Sequence, residues 1–122
     1  YLKESYDSYK LETQTLDSYV IENIGLIKID VEGHEYEVLQ GGRSLFSSSS
    51  VDHVQFEGGC NVDSRVFFKD IFMFFKEQKW NVFKVVIDGI TPVETYSSSL
   101  EFCTYVNFYC KNSQSKLIKI ND

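Results

Sequence analysis

An α/β fold, with a mainly parallel sheet ending in an antiparallel hairpin, is predicted by three features of this 122-residue chain. The run "LIKID" (26–30) is short, β-branched and almost continuously apolar, as suits a strand buried on both faces. Segments with helical spacing of apolar residues alternate with such runs. The last two strand-like segments have no helical pattern between them, so they should pair antiparallel.

Residues 1–14 are polar, with scattered tyrosines and no period, and read as a connector with at most a short strand near Leu11. In "TLDSYVIENIG" (15–25), Thr15 or Asp17 can cap a helix whose apolar face is Leu16, Tyr19, Val20 and Ile24, with Gly25 ending it. After "LIKID", "GHEYEVLQGG" (33–42) reads as a helix reaching as far as Phe46. Acids fill its first turn, and Tyr36, Val38, Leu39 and Leu45 form its apolar side. The serines at 47–50 form a loop, and "VDHVQFEGG" (51–59) is a strand with Val54 and Phe56 inward.

"DSRVFFKDIFMFFKEQKW" (63–80) is the strongest helix, capped by Asp63 or Ser64, with Phe67, Ile71, Phe74 and Phe75 on one face. Phe68, Phe72 and Met73 widen that apolar sector, which suits heavy packing on a sheet. "NVFKVVID" (81–88) is a third strand, "GITPVETYSSSLEF" (89–102) a turn-rich excursion, and "CTYVNFYCKN" (103–112) a fourth strand. Residues 15–112 thus form one folded unit, followed by a polar tail over 113–122.

A net charge of −6, with no lysine or arginine cluster, disfavours nucleic acid, whose binding rests on basic patches. No apolar stretch approaches the roughly 18 residues that span a bilayer, so no membrane association is expected. Cys60, Cys103 and Cys110 lack metal-like or CxxC spacing. Cys103 and Cys110 read as small apolar fillers, in keeping with a reducing, cytoplasmic setting. The chain opens on Tyr1 and its only methionine is Met73, so residue 1 is not expected to be a translation start.

The stretch "TLDSYVIENIGLIKIDVEGHEYEVLQGG" (15–42) resembles the FkbM-type methyltransferases, which carry a TLD followed by a K-I-D-V-E-G-x-E-x-x-V-L-x-G block. The matching residues are Thr15, Leu16 and Asp17, then Lys28 to Gly33, Glu35, Val38, Leu39 and Gly41. Glu57, after Phe56, is similar to the family's acid at the end of the next strand. The resemblance implies a Rossmann-like fold, S-adenosylmethionine as methyl donor and a small-molecule hydroxyl as acceptor. It places Asp30, Glu32, His34 and Glu35 among the catalytic candidates, Asp30, Val31 and Gly33 near the cofactor, and Glu57 near the substrate. One departure is evident: no GxG-type loop lies behind a strand anywhere before "IKID". The chain is therefore expected to be the C-terminal half of that domain, starting between the third and fourth of seven strands, and inactive by itself.

The residues support this chemistry independently. In open α/β sheets, ligands bind beyond the carboxyl ends of parallel strands, where Asp30 and Glu57 are expected. Carboxylates there can orient a hydroxyl and accept its proton as the C–O bond forms. Each acid also has a plainer role. Asp30 can bond the following turn, Glu32 can pair with Lys28 or Arg43, and Glu57 can meet backbone amides near Gly58 and Gly59. Glu35 can simply favour a helix start, His34 can face solvent, and Gly33 can serve as backbone punctuation. Asp30, Glu32 and His34 would form a metal set only if the strand ran on through them, which Gly33 argues against. His53 and Trp80 read as structural. A different reading makes the unit a non-catalytic module that self-associates through the exposed edge of "LIKID".

Overall fold

In the computed structural model, which describes residues 8–58, 67–102 and 106–115, five strands form one sheet in the order β1-β2-β5-β3-β4. The strands are β1 (Ile24–Ile29), β2 (Val51–Gly58), β3 (Trp80–Val86), β4 (Gly89–Pro92) and β5 (Val106–Asn112). Helices α1 (Glu35–Gly41) and α2 (Arg43–Ser47) connect β1 to β2, and α3 (Phe68–Glu77) precedes β3. The α/β class is as predicted. No helix among the described residues is long and apolar enough to cross a membrane.

Strand β2 shows the expected alternation: Val54, Phe56 and Gly58 are buried, whereas His53, Gln55 and Glu57 are half-buried. The buried set meets the apolar sector of α3, where Phe68, Ile71, Phe72, Phe74 and Phe75 are all buried. Phe56 stacks on Phe75 at 5.9 Å and on Phe108 of β5 at 5.4 Å, and Phe68 lies 4.3 Å from Phe108. Each such ring contributes about 1.5–3 kcal/mol by leaving water, so α3 is anchored by its aromatic residues. Trp80 closes this core against Phe46 and Phe75, and its indole N–H donates to the Phe46 carbonyl at 3.0 Å. Cys110 is a buried free thiol, the apolar filler it was expected to be. His53 also has a structural partner, its Nδ1 lying 2.7 Å from the Tyr109 hydroxyl with the two rings stacked.

Four expectations need correction. The helix over 15–25 is absent: only Leu16–Ser18 form a 3-10 turn, Tyr19 is extended, and Val20 is 98% exposed. The β-branched Val20, Ile21 and Ile24 favour extended backbone, and the Ile24 N–H donates to the Ser50 carbonyl, drawing the chain into the sheet. The sheet is also not mainly parallel by pairing. Only β1 with β2 is parallel, because β5 returns antiparallel between β2 and β3, and β4 adds a further antiparallel edge. By direction, β1, β2 and β3 still run the same way. Third, α3 begins at Phe68 after an extended and exposed Phe67, and the expected caps Asp63 and Ser64, with Cys60 and Cys103, lie outside the described residues. Fourth, the turn-rich excursion contains β4, which forms a hairpin with β3 around Ile87–Asp88, and a 3-10 turn at Ser98–Phe102.

Candidate functional site

β1 ends at Ile29, which faces Phe56 across the parallel pair. Asp30 and Glu57 are therefore the next residues along two neighbouring parallel strands, at the carboxyl ends where α/β sheets receive ligands. Lys28 lies on β1 opposite Gln55, and its ammonium donates to Asp30 Oδ2 at 2.9 Å. That hydrogen bond, reinforced by the charge of Asp30 and further by that of Glu57, raises the Lys28 pKa. One cation thus lies in the field of both carboxylates. Lys28 and Asp30 are 59% and 42% exposed, and solvent screening leaves such a pair little weight in stability. The arrangement is one of accessible charge rather than of structural cement.

Beyond Asp30 the chain turns sharply. Glu32 has φ 53° and Gly33 has φ 95°, two consecutive residues in the left-handed region. Glycine adopts that region freely, whereas for a residue with a side chain it costs about 1–2 kcal/mol. Glu35 holds the turn: its Oε1 accepts the N–H of Val31 and the N–H of Gly33, each at 3.3 Å. Helix α1 then starts at Glu35, with His34 at its N-cap position.

The structure thus separates the predicted site residues into groups. It brings Asp30 and Glu57 together around Lys28, a motif residue whose charge the sequence pairs only with Glu32. Val31, Gly33 and Glu35 form a closed hydrogen-bonded turn, so the Val31 and Gly33 amides are already engaged. Glu32 is exposed and makes no hydrogen bond or ion pair with another described residue. His34 is 75% exposed and its Nδ1 lies 3.7 Å from Glu37, a residue outside the predicted set. Arg43, the other predicted partner of Glu32, instead meets Glu77 at 3.4 Å. The turn at Glu32–Gly33 breaks the alternation that a metal set would need, and no three candidate ligands group together among the described residues.

Two further carboxylates do work that sequence reading missed. Asp17 was read as a cap for its own segment, yet its carboxylate accepts the N–H groups of Ser44 and Leu45, both at 2.9 Å, at the start of α2. Desolvation pushes its pKa up, but those two bonds outweigh it and hold the pKa low. Glu101 similarly accepts the N–H of Phe68 at 2.7 Å and of Lys69 at 3.0 Å, and so caps α3. The paired glycines explain why the "TLD" segment docks where it does. A Cβ on Gly41 would lie 3.3 Å from Thr15, and one on Gly42 would lie 3.1 Å from Leu16. The "TLD" and "QGG" stretches are one packed unit that braces the far end of α1.

No curated protein and no solved structure matches the chain. Residues 1–81 match the family described as the Methyltransferase FkbM domain. That span contains β1, α1, α2, β2 and α3, together with the opening of β3, and hence every acid placed above at the strand ends. The chain belongs to the FkbM methyltransferase family.

Proposed function

We propose that these residues form the acceptor-side part of an S-adenosylmethionine-dependent methyltransferase domain that methylates a hydroxyl of a sugar or other small metabolite. The observation that carries this reading is the juxtaposition of Asp30 and Glu57 at adjacent strand ends, with Lys28 beside them. The donor set suits the cofactor: accessible carboxylates attract a cationic sulfonium, and Gly33 has no side chain to keep a ligand away. When bound, S-adenosylmethionine supplies an electrophilic methyl group. Asp30 and Glu32 would orient the acceptor hydroxyl, and one of them would take its proton as the oxygen–methyl bond forms and the sulfonium–methyl bond breaks, leaving S-adenosylhomocysteine. Lys28 tempers the charge on Asp30, and Glu57 fixes the acceptor from the neighbouring strand.

The sequence holds no glycine-rich loop behind a strand ahead of β1. In this reading the methionine end of the cofactor is held by residues outside these 122, and the cysteine usage fits a cytoplasmic setting. Calorimetry tests the first point: the full-length protein should bind S-adenosylhomocysteine at micromolar concentration, and the 122 residues alone should not. Micromolar binding by the isolated chain would overturn the partial-site reading. Transfer of labelled methyl from S-adenosylmethionine to one of a panel of hydroxylated sugars tests the second.

A second reading, a pairing module without catalysis, is favoured by a separate observation. β1 is an outer strand of the sheet, so one of its edges is free of strand pairing among the described residues. Such an edge is a template for another strand.

A further inference from the structure

Glu35 differs from the other acids of the β1–α1 turn in being buried, at 8% exposure, and in accepting backbone N–H groups. Its Oε1 alone accepts from both the Val31 and the Gly33 amide. Glu32 lies between those two amides, in a backbone conformation disfavoured for any residue with a side chain. An unfavourable conformation persists only where its surroundings over-determine it, and here the two hydrogen bonds bracket the strained residue. Glu32 itself stays exposed and makes no bond to another described residue. One carboxylate is spent holding the backbone, and the other is left accessible.

We propose that Glu35 is a positioning residue: it clamps the Val31 and Gly33 amides, fixes Glu32 in its left-handed conformation, and so sets the Glu32 carboxylate at the mouth of β1. This rests on the methyltransferase reading, and it changes the role of Glu35 within it. Glu35 exchanges no proton with the acceptor. Its function is carried by an acceptor oxygen, not by charge or titration. A glutamine in its place offers the same carbonyl-type oxygen to the two amides and should suffice, whereas a general acid or base tolerates no such replacement.

The variants E35Q and E35A separate these roles by two readouts. The first is amide hydrogen exchange at Val31 and Gly33, followed by NMR on the 122-residue chain. Losing the acceptor in E35A should speed exchange at these two amides by about tenfold, and E35Q should stay within about threefold of the parent. The second is the initial rate of labelled methyl transfer from S-adenosylmethionine by the full-length protein, using whichever hydroxylated sugar accepts label. E35Q should keep kcat within about threefold, while E35A should lose about 10²-fold through misplacement of Glu32. A loss of about 10²–10⁴-fold in E35Q would mark Glu35 as an acid or base and overturn the proposal. So would unchanged exchange in E35A. Should E35A fail to fold, E35Q decides alone, since it keeps the clamp and removes only the charge. If the parent protein transfers no label to any sugar, the methyltransferase reading is what has failed, and the exchange measurement still judges the clamp.

Discussion

Asp17 Oδ2 accepts the N–H of Ser44 at 2.9 Å although 27 residues separate them in the chain. The bond ties the segment before β1 to the start of α2, and Leu45 completes it at 2.9 Å. Orphan amides at a helix start are commonly satisfied by an acid one to three residues ahead. Here the acid arrives from a different segment, and its docking depends on the glycine pair that leaves room for Thr15 and Leu16.

Removing this cap should be measurable. D17A is expected to destabilise the fold by about 1 kcal/mol, as loss of a capping acceptor generally does. Because the bonds hold the folded-state pKa below its ordinary value of 3.8, the contribution is present above pH 3.8 and fades as pH falls through the folded value. Urea denaturation at neutral pH and at pH 3 checks both points. A penalty of equal size at the two pH values would contradict the assignment.

Gly42 should tolerate no side chain. An added Cβ would sit 2.8 Å from a ring carbon of Phe46, and that ring is wedged against Phe74, Phe75 and Trp80. Overpacking of this kind costs about 1–3 kcal/mol. G42A should therefore unfold at lower urea than the parent, whereas G25A, with nothing within 4 Å of its added Cβ, should not lose stability through a clash.

Glu101 does three things at once, capping Phe68 and Lys69 and accepting the Tyr96 hydroxyl at 2.7 Å. The hydrogen bond to Glu101, aided by desolvation and the Glu101 charge, pushes the Tyr96 pKa up to about 12. The raised value stabilises the fold fully below pH 10.0, the ordinary tyrosine value, and that contribution is lost as pH rises through about 12. In E101A the Tyr96 titration, followed by ultraviolet difference absorbance, should return toward the ordinary value, and α3 should lose about 1 kcal/mol of capping. An unmoved Tyr96 titration would contradict the contact.

How much of this was legible in the sequence follows the range of the interactions. The strands β1, β2 and β5 and the helix α3 announce themselves through local period, because Val54, Phe56 and the phenylalanines of α3 bury one face. The 15–25 segment misleads because Leu16, Tyr19, Val20 and Ile24 match a helical stripe by spacing alone. In the fold, Asp17 is recruited by α2 and Ile24 by the sheet. The placement of Asp30 and Glu57 at neighbouring strand ends was legible from the strand patterns. The conformations of Glu32 and Glu35 were not. Whether Glu32 or Glu35 turns inward depends on two φ angles that no spacing rule encodes.

The outer edge of β1 gives the pairing reading its own test. If that edge recruits a second copy, light scattering should show a dimer whose fraction rises with concentration, and the association should weaken in L26K, since Leu26 on β1 is 55% exposed. A strictly monomeric protein at all concentrations would remove the pairing role.

The most direct measurement is a double-mutant cycle on the rate of methyl transfer from S-adenosylmethionine, built from D30N, E57Q and their combination. If the two strand ends serve one acceptor, each single change should slow transfer by at least about tenfold, and the combined loss should fall well short of the product of the two. Rates within twofold of the parent for both single variants, or losses that multiply fully, would contradict a shared site at the mouth of β1 and β2.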